Sequence, residues 1–121
     1  MDLLHYFDPV DFEKFECPEW ANKKNTLGTL LQKNHEQLKS EKADLLIIGV
    51  PEDRNAHSPG ACFAPDEIRK HLYNLNRIGA RFKILDLGNL RPGITANDTY
   101  FALRDICEHA LELHQTLIVI S

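Results

Sequence analysis

The sequence predicts an α/β fold, with a three-layer, Rossmann-like parallel sheet and flanking helices. Three short aliphatic segments, at about 43–50, 82–87 and 116–120, are typical of strands buried on both faces. The segments between them carry apolar residues at helical spacing. This alternation predicts β-α-β crossovers, which are right-handed and make the strands parallel. We therefore expect one domain, with an N-terminal helical and irregular arm at 1–42 and a βαβαβ core at 43–121.

The N-terminal arm begins with an irregular segment that is rich in aromatic residues. We expect their rings either to lie across a hydrophobic surface of the domain or to form an oligomer contact, where aromatic residues are enriched. These residues are Tyr6, Phe7, Phe12, Phe15 and Trp20. An amphipathic helix should follow from about Thr26 to Ser40, because leucines recur there at helical spacing.

The first core strand leads through a long polar loop to a helix that starts at Pro65. Proline is favoured at the first position of a helix, because the N–H that it lacks would have no intrahelical partner there. Asp66 and Lys70 are expected to form an exposed ion pair on this helix. The apolar spacing predicts three buried residues: Ile68, Leu72 and Leu75.

The second core strand leads to a helix from about Asn97 to His114, whose start carries Thr95 and Asp98 at the spacing of a capping box. The last strand, Thr116–Ile120, is apolar on both faces. The stripe of this helix that should be buried comprises Ala102, Leu103, Ile106, Cys107, Ala110 and Leu113.

Composition argues against several classes of function. The chain has 14 basic and 18 acidic residues, for a formal net charge of −4, and it has no basic run, so we expect no nucleic-acid partner. No segment approaches the roughly 20 apolar residues of a spanning helix, and Met1–Phe7 is unlike a signal peptide, so we expect no membrane partner. Three widely spaced cysteines argue against a disulfide framework and favour the reducing cytoplasm. They are Cys17, Cys62 and Cys107.

Several motifs follow one another in the core. Gly49-Val50-Pro51 ends the first strand, and a polar loop leads to Pro59-Gly60-Ala61-Cys62-Phe63-Ala64-Pro65-Asp66-Glu67-Ile68-Arg69. Ile84-Leu85-Asp86-Leu87-Gly88-Asn89 and Leu117-Ile118-Val119-Ile120 complete the set. From about Ala43 to its last residue the chain resembles the opening of the catalytic domain of the ureohydrolases, the family of arginase, agmatinase and formimidoylglutamase. Where this family often has Arg and Gly, the chain has Cys62 and Ala64.

The resemblance implies that the three core strands pair in the order 2-1-3, with the first strand in the middle. It also implies a full-length parent that uses two manganese ions to hydrolyse C–N bonds in small guanidino, amidino or formimino substrates. Formimidoylglutamase and arginase are the nearest named activities. The family takes its metal ligands from Gly-Gly-Asp-His, Asp-Ala-His-x-Asp and Asp-x-Asp motifs, and none of these occurs within residues 1–121. We therefore expect a truncated N-terminal part, with no metal ligand, no catalytic residue and no activity alone.

A competing interpretation is a non-catalytic α/β interaction module, or a pseudoenzyme, that shares the fold. In either case the last strand should stand at an open edge, since the sheet of the resembled family continues beyond it. An apolar strand at an open edge invites pairing with another chain. We therefore expect a homo-oligomer formed through Leu117–Ile120 or, failing that, poor solubility.

The loop at Glu52–Ser58 is the candidate substrate-binding segment, because ligands of open α/β sheets bind at the carboxyl ends of the strands. Arg54, Asn55 and His57 are expected to recognise a carboxylate or to shape the rim of the pocket in the full-length protein. The alternative is that they are solvated loop residues or bind backbone carbonyls.

Two pairs of potential metal ligands occur at helical spacing. His109 lies four residues after Asp105, and His71 lies four residues after Glu67. A structural or catalytic metal site needs at least a third converging ligand. We expect both pairs to be surface groups.

Other reactive residues are expected to be structural. Cys62 and His57 could form a thiol–imidazole pair, but no orienting third group is evident. Arg69 should pair with a loop carbonyl or a carboxylate. Asp86 and Asn89, at the end of the second strand, should support loops.

Overall fold

The computed structural model describes residues 3–15, 25–54, 60–77 and 81–121. In these residues the helices are α1 (Leu27–Gln37), α2 (Ala64–Leu72) and α3 (Ala96–Glu112). The strands are β1 (Phe7–Asp8), β2 (Leu45–Gly49), β3 (Ile84–Leu90) and β4 (Thr116–Ile120). Short 3-10 helices occur at Leu3–Tyr6, Phe12–Phe15, Ser40–Lys42 and Ala61–Phe63. Within this described part, none of the helices combines the length and the apolar character that crossing a membrane requires.

The strands form one sheet in the order β1-β3-β2-β4. β2 pairs in parallel with both β3 and β4, so the three predicted strands stand in the expected order 2-1-3, and the α/β class is confirmed. The sequence does not predict β1, which pairs antiparallel with β3 and places Phe7 opposite Leu90. A strand of two residues has no periodicity of its own, so it leaves no pattern to detect. β3 also continues to Leu90, beyond the predicted end at residue 87.

Helices cover both faces of the sheet, which gives the three layers expected from the sequence. On one face Ile106 of α3 belongs to a core that includes Leu46 of β2 and Leu87 of β3. On the opposite face, covered by α1 and α2, Leu31 of α1 belongs to a core with Ile47 of β2.

The aromatic rings of the arm that the structure describes lie against the domain. Phe7 and Phe15 are buried, and Phe12 stacks on Tyr73 with ring centroids 5.9 Å apart. These positions agree with the interpretation in which the rings cover a hydrophobic surface. Trp20 lies outside the described residues.

Side-chain caps set the starts of α1 and α3. The Thr26 hydroxyl accepts a hydrogen bond from the backbone N–H three residues later, at 3.2 Å, and Thr95 and Asp98 form the predicted capping box. α1 ends at Gln37 rather than Ser40. Leu113, predicted to be buried, is exposed, because α3 ends at the residue before it.

The predicted buried face of α2 is wrong in part. Ile68 and Leu75 are exposed, and the buried residues of α2 are Pro65 and Arg69. Arg69 is held inward by hydrogen bonds to β3. Because residues 68 and 69 are about 100° apart on a helix, the inward position of Arg69 turns Ile68 outward.

The predicted ion pair between Asp66 and Lys70 is also wrong. Lys70 Nζ lies 2.7 Å from Glu67 Oε1, and Asp66 Oδ1 lies 3.1 Å from Arg69 Nη1. Each pair joins residues that are three apart rather than four. The exposed pair of Lys70 and Glu67 contributes at most about 1 kcal/mol to stability.

Candidate functional site

Two loops meet at the carboxyl edge of the sheet, where open α/β sheets bind ligands. One follows β2 and is described as far as Arg54; the other follows β3 and leads into α3. The side chains of Glu52, Arg54 and Thr99 connect the two loops to the first turns of α3. We call these three residues the edge cluster.

Glu52 is the acidic centre of the edge cluster. Arg54 Nε donates to Glu52 Oε2 at 2.8 Å, Arg54 Nη2 donates to Glu52 Oε1, and Thr99 Oγ1 donates to Oε1 at 2.8 Å. The side chain of Glu52 is only 3% exposed. The hydrogen bonds from Arg54 outweigh the opposing effect of desolvation and lower the pKa of Glu52 to about 2. Glu52 is therefore a carboxylate at neutral pH, engaged by its neighbours.

Arg54 joins the loop after β2 to the loop after β3. Its Nη1 donates to the carbonyl oxygen of Ile94 at 2.8 Å, and its Nη2 donates to the carbonyl oxygen of Gly93 at 2.9 Å. With Nε bound to Glu52, all three guanidinium nitrogens contact groups of the chain itself. The side chain keeps 39% of its surface exposed, so Arg54 borders solvent at the sheet edge.

Of the three site residues predicted from the sequence, the structure describes only Arg54. Arg54 lies at the carboxyl edge, as expected, and it does bind backbone carbonyls, which was the alternative considered for it. Contact of Arg54 with a substrate stays a prediction. Asn55 and His57 lie outside the described residues.

Sequence reasoning missed Glu52 and Thr99 as members of the site. A signal for Glu52 exists, since an acidic and a basic residue two apart directly after a strand can pair across the loop. A signal for Thr99 exists too. It stands four residues before Leu103 on the inward stripe of α3, and a hydroxyl on an apolar stripe needs a partner.

A second polar cluster lies between α2 and β3, and we call it the Arg69 network. Arg69 Nε and Nη2 donate to Asp86 Oδ2 and Oδ1, each at 2.9 Å. Tyr73 donates its hydroxyl to Asp86 Oδ2 at 2.5 Å, and Arg69 also donates to Asn89 Oδ1 and to the Gly88 carbonyl. The prediction that Arg69 pairs with a carboxylate or a loop carbonyl is confirmed for the carboxylate, Asp86, whereas the carbonyl that it binds belongs to Gly88 within β3.

The Arg69 network is a support for the site rather than a reactive centre. Both oxygens of Asp86 are occupied, and Oδ1 also accepts the backbone N–H of Gly88 at 3.0 Å. Burial and then the charge of Asp86 raise the pKa of Tyr73, so this phenol stays protonated at neutral pH. The network fixes the end of β3, where the loop toward the edge cluster begins.

The described residues do not fit a two-metal site. They contain no group of three His, Cys, Asp or Glu side chains placed to hold one ion. Glu52, at the carboxyl edge, and Asp86, within β3, are engaged by arginines. Glu67, His71 and Asp105 are exposed and His109 is half-buried. These positions do not contradict the expectation that Glu67 with His71, and Asp105 with His109, are surface groups.

Cys62 is half-buried and lies near Asp53. Its backbone N–H donates to Asp53 Oδ2 at 3.4 Å. A separate hydrogen bond of the thiol itself with the Asp53 carboxylate, followed by burial, raises the pKa of the Cys62 thiol. Because the thiolate is the nucleophilic form, this environment suppresses nucleophilic reactivity.

Comparison with known proteins adds one finding. A protein-family model described as the arginase family matches residues 43–121. The matched segment begins just before β2 and includes the edge cluster and the Arg69 network. Searches of curated proteins and of solved structures gave no significant match.

Proposed function

The chain belongs to the arginase family, and we propose that residues 43–121 form a part of a ureohydrolase catalytic domain that positions the substrate but carries no metal ligand. The reaction proposed is hydrolysis of a C–N bond in a small guanidino, amidino or formimino compound, as in arginase, agmatinase or formimidoylglutamase. The edge cluster is the structural observation that carries the positioning role.

The edge cluster gives the loop after β2 a fixed starting point. Arg54 is bonded to Glu52 within its own loop and to Gly93 and Ile94 in the neighbouring loop. Residues 55–59 follow Arg54 in the sequence, and family substrates are expected at this sheet edge. In this proposal Arg54 is a positioning residue, and Asn55 and His57 contact the substrate.

A pair of manganese ions, when bound, supplies a hydroxide nucleophile and stabilises negative charge in such reactions. The ligands in this proposal come from outside the described residues, because Glu52 and Asp86 already bind arginines and the described residues hold no group of three side chains placed for one ion. Removing Asp86 or Glu52 from its arginine to hold a metal would leave that arginine without its carboxylate partner. In this proposal the role of this chain is to shape the rim of the substrate pocket and to hold it in place.

Two measurements on the 121-residue chain test the absence of metal ligands. Calorimetric titration with manganese is expected to show no binding in the micromolar range. Assays with arginine, agmatine and formimidoylglutamate are expected to show no release of urea or of the formimino product. Micromolar binding at two sites, or turnover by the chain, would overturn this assignment.

The positioning role needs a protein that carries these residues together with the metal motifs. The first step is to read the gene in frame beyond Ser121. A Gly-Gly-Asp-His motif followed by two Asp-rich motifs would support an enzyme. Replacement of the Asp or the His of the first motif would support a pseudoenzyme. In an active protein Arg54→Ala should lower kcat/KM by about 10- to 100-fold, because a displaced loop misplaces the substrate.

Arg91→Ala is the matched control. Arg91 follows β3 and pairs with Asp8 at the exposed surface, at 3.0 Å, so its loss removes the same charge without releasing the loop after β2. We expect kcat/KM of this variant to stay within about twofold of the parent, which corresponds to less than about 0.5 kcal/mol. Equal effects of the two substitutions would contradict the role of Arg54.

A further inference from the structure

The connection from β3 to α3 positions the two carbonyl groups that hold Arg54. It comprises residues 91–95. Within it, the carbonyl oxygens of Gly93 and Ile94 accept hydrogen bonds from Arg54, at 2.9 and 2.8 Å. The Gly93 N–H donates to Thr99 Oγ1 at 2.8 Å, so α3 holds one side of the connection. A shift of the connection would take both carbonyl groups away from Arg54.

The N-terminal arm holds the other end of the connection. The pairing of β2 with β3 ends at Asn89. Beyond that point the arm provides the neighbouring strand, because Phe7 lies opposite Leu90 and the Tyr6 carbonyl accepts the Arg91 N–H at 2.9 Å. The first residue of the connection is therefore bonded to the arm.

Residues 3–8, which we call the strap, are anchored by two buried side chains. Leu3 and Phe7 are 1% and 2% exposed and belong to the core on the α3 face of the sheet. After the strap the arm crosses to the opposite face, where Phe15 belongs to the other core. The strap and the segment around Phe15 therefore have separate anchors, and either can be weakened alone.

The contact between the strap and β3 leaves little room for intermediate positions. An added Cβ at Gly88 would lie 2.0 Å from the Asp8 carbonyl oxygen, so the two backbones approach each other closely. β1 pairs with β3 at only two positions, Phe7 and Asp8. We expect such a short pairing, with its own anchors, to open as one local unit while the rest of the sheet stays folded.

From these observations we infer that the strap is a conformational device that controls the edge cluster. When the strap is docked on β3, Gly93 and Ile94 are placed to hold Arg54. When it leaves β3, they lose that position and Arg54 loses two of its partners. Contiguous contacts carry the coupling, from Tyr6 to Arg91, along the connection to Gly93 and Ile94, and from these to Arg54. A ligand that binds the released strap acts in this way on a site that it does not touch.

The inference does not depend on the proposed hydrolase activity, because amide hydrogen exchange in the 121-residue chain tests it. The Arg91 N–H reports the opening of the strap, and the Gly93 N–H reports the opening of the connection. Over a series of low urea concentrations, the two amides should show one opening free energy and one dependence on urea. Both values should lie below those of the β2 amides, which need global unfolding. Different opening free energies at Arg91 and Gly93 would mean that the connection opens without the strap.

Alanine substitution of one buried phenylalanine in each half of the arm provides a matched pair. Phe7→Ala weakens only the docked state of the strap, so it should speed exchange at Arg91 and Gly93 by the same factor, about tenfold or more. Phe15→Ala should speed exchange of the β2 amides and leave Arg91 and Gly93 at their parental rates, because Phe15 stays packed when the strap opens. Acceleration at Arg91 without Gly93, or at both amides in Phe15→Ala, would overturn the inference.

The same comparison can be made with a smaller loss of packing. If Phe7→Ala does not fold, Phe7→Leu and Phe15→Leu replace the two alanine variants, since leucine keeps most of the buried volume. The expected pattern is the same, with a smaller factor. The exchange of the unmodified chain needs neither variant.

A disulfide between the strap and β3 tests the coupling in the opposite direction. Tyr6→Cys with Arg91→Cys joins opposite residues of an antiparallel hydrogen-bonded pair, whose Cα atoms lie about 5.5 Å apart, a separation that a disulfide spans. The background carries alanine at the native cysteines, Cys17, Cys62 and Cys107. Oxidation should slow exchange at Gly93 by about tenfold or more, and reduction should reverse the effect, so the reduced protein is the control. Exchange at Gly93 that is equal in the two forms would show that the strap does not control the connection.

Discussion

Arg69 of α2 and Asp86 of β3 form a bidentate ion pair in the interior of the domain, with two N···O distances of 2.9 Å and side chains that are 1% and 0% exposed. Two charges removed from water are costly unless every polar group around them is satisfied. Tyr73, Gly88 and Asn89 complete the hydrogen bonds here. The pair therefore fixes how α2 sits on the sheet, and it depends on both partners being present.

Arg69→Met should lower the free energy of unfolding by about 3–5 kcal/mol, because it leaves Asp86 buried without its counter-charge. Urea unfolding followed by circular dichroism measures this loss. Lys70→Met is the control on the same helix; it removes an exposed pair with Glu67 and should cost less than about 1 kcal/mol.

The double substitution Arg69→Met with Asp86→Leu tests whether the loss comes from an uncompensated charge. It should cost less than the sum of the two single substitutions, since neither buried charge remains. Losses that simply add would show that the two side chains contribute independently and would contradict the account of this pair.

Tyr73 should make stability sensitive to alkaline pH. Burial first, and then the charge of Asp86, raise the pKa of Tyr73 above its unfolded value of about 10. A group whose folded pKa is raised contributes stability that is present below the unfolded pKa and is lost as pH rises above it. Tyr73→Phe should therefore cost about 1.5–3 kcal/mol at pH 7 and should reduce the further loss between about pH 10 and 11.

Urea unfolding at several pH values measures both effects. Tyr100→Phe is the control, because Tyr100 is exposed and its substitution should change stability by less than about 0.5 kcal/mol. A Tyr73→Phe variant with the alkaline slope of the parent would contradict the prediction.

Glu52 should make stability sensitive to acidic pH, whereas Tyr73 makes it sensitive to alkaline pH. Hydrogen bonds from Arg54 lower the pKa of Glu52 to about 2, below its unfolded value of about 4.3. The stability that Glu52 contributes is therefore present above about pH 4.3 and is lost as pH falls toward 2. Glu52→Gln should flatten the dependence of unfolding free energy on pH between these values, as urea unfolding at several pH values would measure.

Sequence patterns predict the three parallel strands and α3 well, for a physical reason. β2 is aliphatic because both its faces are covered, and Thr95 and Asp98 mark the start of α3 because unsatisfied N–H groups need a cap. These signals are local. The buried face of α2 was misjudged because a charged residue, Arg69, turns inward to meet Asp86, 17 positions away in sequence.

The partners of Arg54 illustrate the same limit at the candidate site. Its position after a strand end is visible in sequence, but the groups that it binds in the other loop are 39 and 40 residues away. No local pattern encodes a contact with a backbone carbonyl, since every residue has one. The position of Arg54 at the carboxyl edge could be predicted, and the particular carbonyls that hold it, those of Gly93 and Ile94, could not.

Gly88, near the end of β3, should tolerate an added side chain less well than Gly60 does. Its φ of 99° lies in the left-handed region, and an added Cβ would lie 2.0 Å from the Asp8 carbonyl oxygen of β1. Gly60 has a similar φ of 92°, but the nearest atom to its added Cβ is a ring carbon of Phe63 at 3.9 Å. Gly60→Ala therefore carries the backbone strain alone, about 1–2 kcal/mol.

Gly88→Ala carries the same strain and must also push β1 away from β3, which would unpack Phe7 from the core. We expect its loss of unfolding free energy in urea to be at least twice that of Gly60→Ala. Amide exchange at Arg91, whose N–H donates to the Tyr6 carbonyl just before β1, should accelerate only in the Gly88 variant. Equal losses in the two variants would mean that β1 can move away from β3 without a loss of unfolding free energy. The N-terminal arm would then add little to the stability of the sheet that it borders.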